Sequence, residues 1–145
     1  MHTILEFLGN DHRVCDDLFA SAEAAVAKNS WDSARDLHDR FQAAMARHFA
    51  MEEDVLFPAF EARTGNSTGP TQVMRMEHAQ MRGLMQDMAS AVATGNQNGF
   101  LGMSETLNML MQQHNLKEEN MLYPMSDQVL GGEQDSLIRT MQSLA

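Results

Sequence analysis

The sequence predicts an all-α protein, an up-down-up-down four-helix bundle closed by a short fifth helix near its C-terminal end. Three observations carry this. Apolar residues recur at alternating intervals of four and three along four long segments, the period of a helix that buries one stripe of its surface. Proline is scarce, three in 145 residues, and Gly, Asn and Ser collect in short stretches between the four segments, where connectors belong. The third observation is a repeat: His48, Glu52, Glu53, Leu56, Phe57 and Pro58 return as His114, Glu118, Glu119, Leu122, Tyr123 and Pro124, each 66 positions later. Asp11-His12 stands 36 residues before His48, and Glu77-His78 stands 36 before His114. Two αα hairpins, residues 1–66 and 67–130, follow from that duplication. They are expected to form a single domain over 1–145, long enough to enclose a sizeable core.

The first helix is expected over residues 3–28, with Met1, Leu5, Leu8, His12, Cys15, Phe19, Ala22 and Val26 on its seam. Thr3 and Glu6 read as a capping box at its start. The second, over 31–62, aligns Ala34, Leu37, Phe41, Met45, His48, Glu52, Val55 and Ala59, with Ser30 as N-cap. Pro58 has no N–H to donate and should kink this helix or begin its end. The third, over 70–93, turns Met74, His78, Met81, Met85, Met88 and Val92 inward and starts on Pro70, whose fixed φ suits the first helical position. The fourth, over 99–123, presents Phe100, Met103, Leu107, Met111, His114, Glu118 and Met121. The connectors fall at 28–30, 63–69 and 94–98. After Pro124 and the Gly131-Gly132 break, a fifth helix over 133–143 should pack Leu137, Ile138, Met141 and Leu144 against the bundle.

Repeat and periodicity meet at six residues. His12, His48, His78 and His114 occupy positions that periodicity assigns to the apolar core, and Glu52 and Glu118 follow at i+4 on the same stripe. Burying two ionised carboxylates without partners costs on the order of several kcal/mol each. A cation resolves the conflict. Two hairpins related by an approximate two-fold axis bring their lone His and His-x3-Glu faces together, so that each of two metals takes two imidazoles. The carboxylates then bridge or chelate, and a position stays open for water or a small ligand. Imidazole with carboxylate suits iron, manganese or zinc and argues against calcium or magnesium, which take all-oxygen shells. The single Cys15 removes thiolate-rich structural zinc. Glu53, Glu77, Glu119 and Asp11 read as solvated groups or as partners of the imidazole N–H groups, not as ligands. His38 and His2 are placed at the surface or in an end layer.

The formal net charge of −10 opposes an electrostatic grip on nucleic acid or anionic lipid and suits a cationic ligand. No stretch approaches the ~20 apolar residues of a membrane span, and no basic segment precedes an apolar run at the N-terminus. A cytoplasmic protein is expected, and one cysteine excludes an internal disulfide framework.

Taken together, Asp11-His12, His48-x3-Glu52-Glu53, Glu77-His78 and His114-x3-Glu118-Glu119, trailed by Leu56-Phe57-Pro58 and Leu122-Tyr123-Pro124, resemble the hemerythrin-like HHE cation-binding domain over roughly residues 1–130. The resemblance implies a four-helix bundle around a non-haem di-iron centre, two Fe ions bridged by carboxylates and an oxo or hydroxo group. Its ligands would be His12, His48, Glu52, His78, His114 and Glu118. Oxygen-carrying hemerythrins have His-x3-His on the third helix and His-x4-Asp on the fourth. Here Met74 and Arg82 flank His78 at four residues on either side, and the fourth helix has His114-x3-Glu118. The four-His, two-Glu set is instead similar to the iron domain of bacterial repair-of-iron-centres proteins and of nitric-oxide-binding relatives.

The expected function is binding or processing of a small oxidant or gas, O2, NO or peroxide, at that centre, with zinc or manganese as alternative metals. An iron store or donor for repairing iron-containing centres, with a protein partner for iron or electron transfer, is the second reading. A metal-dependent structural or sensory module is the third. Met45, Met81 and Met111 should line a cavity beside the histidines, as adaptable core filler or as an apolar pocket for a diatomic ligand. Cys15 reads as a small apolar core residue, with a redox or gas-related role as the alternative, and Tyr123 as closing the bundle end or donating to a carboxylate or bridging ligand.

Overall fold

The computed structural model describes residues 3–144. Met1, expected on the first seam, and His2, expected at the surface or bundle end, lie outside them. In chain order the elements are α1 (Ile4–Ala27), α2 (Trp31–Ala50), a π-helical segment π1 (Met51–Leu56), α3 (Phe57–Thr64), α4 (Pro70–Ala93), α5 (Gln97–Lys117), a second π-helical segment π2 (Glu118–Leu122), α6 (Tyr123–Val129), a 3-10 turn (Gly131–Glu133) and α7 (Gln134–Gln142). Helices α2, π1 and α3 run on as one rod, and so do α5, π2 and α6. Both α1 and α4 pack against α2 and against α5, which closes the up-down-up-down bundle, and α7 lies across α1 and π1. No helix among the described residues is long and apolar enough to cross a membrane.

One half of the predicted capping box stands at the α1 start: the Thr3 hydroxyl accepts the Glu6 N–H at 3.0 Å, and it donates to the Glu6 carboxylate at 2.9 Å. A second cap arrives from far along the chain. The Asp127 carboxylate on α6 accepts the Ile4 N–H at 2.7 Å and the Leu5 N–H at 3.1 Å, which satisfies otherwise unpaired donors and places negative charge at the positive end of the helix. Both hairpin turns use one left-handed residue at equivalent repeat positions, Asn29 (φ 56°) and Gly95 (φ 68°), residues that reach this region at little cost. Ser30 stands at the N-cap of α2 but makes no capping bond. Its counterpart Asn96 does cap, accepting the Gly99 N–H at 3.0 Å, and α5 accordingly begins at Gln97, two residues before the expected start.

The largest departure from the expected pattern sits at the prolines. Neither Pro58 nor Pro124 ends its helix, since α3 runs to Thr64 and α6 to Val129. The turn before each proline widens: the Phe57 N–H bonds to the Glu52 carbonyl and the Tyr123 N–H to the Glu118 carbonyl, five residues back instead of four. Widening accommodates a residue that lacks a donor and whose ring would collide with the carbonyl four residues earlier. The extra residue shifts the buried stripe by one position. Leu56 and Phe60 become buried where Val55 and Ala59 were expected, and Leu122 replaces Met121, which is 60% exposed.

Elsewhere the inward set is largely as read, with local exchanges. Ile4 is buried and Leu5 only half-buried, and Ser104 goes inside in place of Met103, its hydroxyl donating to the Glu23 carboxylate. His38 takes the second of the two places expected for it, a layer toward one end of the bundle, and not the surface. It is 2% exposed, packed against Phe41 and Phe100, and its Nε2–H donates to the Met85 carbonyl at 3.2 Å. One satisfied ring nitrogen and two aromatic neighbours let the imidazole take the place assigned to Leu37, which is half-buried.

The apolar core divides in two. One cluster, around Phe19, Phe41, Met88, Phe100 and Leu107, fills the end near the hairpin turns. The other, around Ile4, Leu8, Leu56, Phe57, Phe60, Leu122 and Tyr123, fills the opposite end, where α7 adds Ile138 and Met141, with Leu137 and Leu144 packed alongside. The four repeat histidines lie in the layer between.

Candidate metal centre

Each of the six residues singled out from the repeat is buried. Glu52, His78 and Glu118 are 0% exposed, His48 and His114 2%, and His12 4%. Helices α1 and α4 supply His12 and His78, α2 and α5 supply His48 and His114, and the first turns of π1 and π2 supply Glu52 and Glu118.

Every imidazole is gripped from behind by a carboxylate. The Nδ1 of His48 lies 2.7 Å from Asp11, and that of His114 lies 2.7 Å from Glu77, both within one hairpin. The other two pairs cross between hairpins: His12 Nδ1 meets Glu119 at 2.7 Å and His78 Nδ1 meets Glu53 at 2.6 Å. The consecutive Glu52-Glu53 and Glu118-Glu119 pairs therefore divide their work, one side chain aimed at the centre and its neighbour at a histidine of the other hairpin. Such pairing fixes ring orientation and the tautomer, with the proton on Nδ1 and the lone pair on Nε2. The outer carboxylates have cationic support: Arg82 grips Glu53 with two bonds of 3.0 and 2.9 Å, and Lys117 bonds Glu77. Burial opposes the ionisation of Glu53, but the hydrogen bonds from His78 and Arg82 outweigh it and bring its pKa down to about 2.

Inside this ring, acceptors face acceptors. The Nε2 atoms of His78 and His114, Oε1 of Glu52 and Oε2 of Glu118 are buried and have no hydrogen-bond partner, although His78 Nε2 and Glu52 Oε1 lie 3.0 Å apart. One ligand-type atom from each of Glu52, His78, His114 and Glu118 falls within 4.8 Å of the others, and the same holds for His12, His48 and Glu118. These are two overlapping donor sets that share a carboxylate. Burying so many unpaired acceptors is costly, and a cation among them removes the cost, so the donor set fits a metal.

Without a cation, protons take its place. Burial opposes protonation of His114, yet its bond to Glu118 and the charges of Glu118 and Glu52 lift its pKa to about 9. His48 and His78 are raised as well, against the same opposition, by the charge of Glu52 for His48 and the Glu52 hydrogen bond for His78. Burial and the charge of Glu118 push Glu52 upward. Metal binding at these groups displaces protons.

Tyr123 completes the centre. Its hydroxyl lies 2.7 Å from Glu52 Oε2 and 2.9 Å from Glu118 Oε1, so it donates to this carboxylate pair, and it sits 3.2 Å from His12 Nε2 and 3.4 Å from His48 Nε2. Of the two roles expected for Tyr123, closing the bundle end and donating to a carboxylate, the second is thus realised at the centre. The signal was present in the repeat, where its counterpart is Phe57, which has no hydroxyl. Below the histidines, toward the hairpin turns, Met45, Met81, Met111 and Cys15 line a cavity of about 10 Å³, roughly the space that one water centre needs. The Cys15 thiol is pushed up to about 12 by burial and by the charges of Asp11 and Asp16, so it is an inert part of the wall. His38 is not brought into the centre; it belongs to the core cluster near the hairpin turns.

The chain gave no match among curated proteins or among solved structures. The profile of the hemerythrin HHE cation binding domain does match, over residues 3–126, a span that contains every residue of the centre. With that match over most of its length and the donor set in place, the chain belongs to the hemerythrin HHE cation-binding domain family.

Proposed function

We propose that the centre would hold two iron ions, with His12 and His48 as ligands to one, His78 and His114 as ligands to the other, and Glu52 and Glu118 supplying the carboxylates. Its function is to bind or process a small oxidant or gas, O2, NO or peroxide. The observation that supports this best is the inward ring of four imidazole nitrogens and two carboxylates, in which Nε2 of His78 and His114, Oε1 of Glu52 and Oε2 of Glu118 lack partners. Iron bound there would supply one-electron redox chemistry and an exchangeable coordination position.

The protein's own residues do the rest. Asp11, Glu53, Glu77 and Glu119 hold each ring with its Nε2 inward. Tyr123 offers a hydroxyl hydrogen at the carboxylate edge, and the cavity lined by Met45, Met81 and Met111 has room for a ligand about the size of one water. A protein partner that exchanges electrons or iron with the centre belongs to the same proposal, as does a cytoplasmic location.

Metal analysis and visible spectroscopy of anaerobically purified protein, before and after stoichiometric air and then nitric oxide, test the proposal. About two irons per chain, with new bands on exposure to either gas, is the expected result. A colourless zinc protein would overturn it. Iron that leaves under mild chelation without any gas-dependent band would favour an iron donor instead.

A further inference from the structure

The internal repeat pairs positions 66 apart, and two of the pairs that differ lie beside the cavity below the histidines. Asp16 on α1 corresponds to Arg82 on α4, and Asn115 on α5 corresponds to Phe49 on α2. All four residues stand where a seam between helices reaches the cavity below the histidines. On the α2/α4 seam, Phe49 stacks on the His78 ring at 4.0 Å between centroids and 18° between planes. The Arg82 guanidinium lies over the Phe49 ring, 4.9 Å from its centroid, and is itself anchored by Glu53. A surface depression of about 400 Å³ on this seam is lined by Phe49 and Arg82, and the inner cavity is lined by Phe49 from the other side. One pinned ring is thus the wall between outside and centre. On the α1/α5 seam no such ring exists. The cavity reaches Asp16 and Asn115, both only half-buried, and Gln112 on α5 bonds across to Asp16 at 3.3 Å.

We propose that small ligands reach the centre through the α1/α5 seam alone, with Asn115 as the doorway and Asp16 as a charge filter that favours neutral molecules over anions. The α2/α4 seam is shut by Phe49. The mouth is acidic, Asp16 lying beside Asp17 and near Glu119, and in a narrow low-dielectric passage such a charge slows anion entry far more than it affects a neutral gas. This inference rests on the proposed ligand-binding centre and assigns its route and selectivity.

Stopped-flow absorbance on iron-loaded protein tests it, with azide as anionic probe of the ferric form and nitric oxide as neutral probe of the ferrous form. Asn115→Phe installs the residue that blocks the other seam, and both association rates should fall by about tenfold or more while dissociation slows in parallel. Asp16→Asn should speed azide several-fold, about what loss of one nearby charge brings, and leave nitric oxide unchanged. Adding Phe49→Ala to Asn115→Phe should restore both rates by opening the second seam. Asn115→Leu, with melting temperature and iron content checked alongside, separates blockage from misfolding. Unchanged association rates in both Asn115 variants would overturn the route, and equal acceleration of both probes by Asp16→Asn would overturn the filter. If neither probe binds the native iron-loaded protein, the proposed ligand-binding function itself fails, and this inference with it.

Discussion

Phe57 and Tyr123 hold equivalent positions of the repeat, and each stacks on the histidine of a long helix, Phe57 on His78 at 5.8 Å and Tyr123 on His12 at 5.6 Å between centroids. Only Tyr123 carries a hydroxyl, and it lies 2.7 Å from Glu52 Oε2. The centre is therefore two-fold in its histidines and carboxylates but one-sided in its hydrogen-bond donor.

Tyr123→Phe copies the residue that the repeat already accommodates at position 57, so packing should survive. What goes is the donor to Glu52 and Glu118, and leaving buried carboxylate oxygens without a donor costs about 1–3 kcal/mol. A cation satisfies the same oxygens, so the variant should melt markedly lower than native protein when metal-free and only slightly lower when loaded. Equal losses in both forms would show that the hydroxyl acts on packing alone.

Glu52→Ala or Glu118→Ala should abolish stoichiometric metal binding, since Glu118 belongs to both donor sets and Glu52 to the one with His78 and His114. Glu53→Ala and Glu119→Ala remove only the grip on His78 and His12, and should lower affinity by about 10–100-fold while leaving full loading at excess metal. Metal titration of the four apoproteins distinguishes the classes. Loss of loading in Glu53→Ala as complete as in Glu52→Ala would mean that the ligand register is wrong.

The pH dependence follows from His114, whose pKa rises from 6.5 to about 9 in the metal-free fold. A raised folded-state pKa stabilises the fold fully below the unfolded value of 6.5, and the contribution is lost as pH rises through about 9. Metal needs the neutral ring, so its binding strengthens over the same window. Melting curves across that range should show the apoprotein weakening and the gap to the loaded protein widening. An apoprotein whose melting point rises from pH 6.5 to 9 would contradict this reading.

His38→Ala should leave metal content untouched, because the ring belongs to the core near the hairpin turns. It should nonetheless destabilise the fold by about 2–4 kcal/mol, through the cavity left between Phe41 and Phe100 and the lost bond to Met85. Denaturant unfolding together with metal analysis checks both halves.

Asp127→Ala removes the distant cap from α1. A loss of about 1 kcal/mol is expected, readable as a lower urea midpoint, with faster amide exchange at Ile4 and Leu5. Unchanged exchange at those two amides would show that Thr3 suffices.

Much of the centre was legible in the chain because its chemistry conflicts with its periodicity: polar residues on an apolar stripe, duplicated at one offset, have few explanations other than a shared cation. The outer carboxylates were legible for the same reason, each adjacent to a candidate ligand in the repeat. The π-helical segments were not. A proline announces a missing donor, but whether the helix breaks, kinks or widens depends on what packs beside it, and only the buried Leu56 and Leu122 reveal the one-residue slip. The choice between surface and end layer for His38 was not legible, because its ring needs the Met85 carbonyl from another helix, which no local pattern displays.

By itself the sequence determined the helices, the duplicated hairpin and the six inward polar residues, because helical periodicity and burial cost act locally along the chain. Only the tertiary structure decided which carboxylate holds which histidine across the hairpins, that Tyr123 donates into the centre, and that Phe49 closes one seam while Asn115 leaves the other open. Those are contacts between residues distant in sequence, and their partners are chosen by how four helices meet.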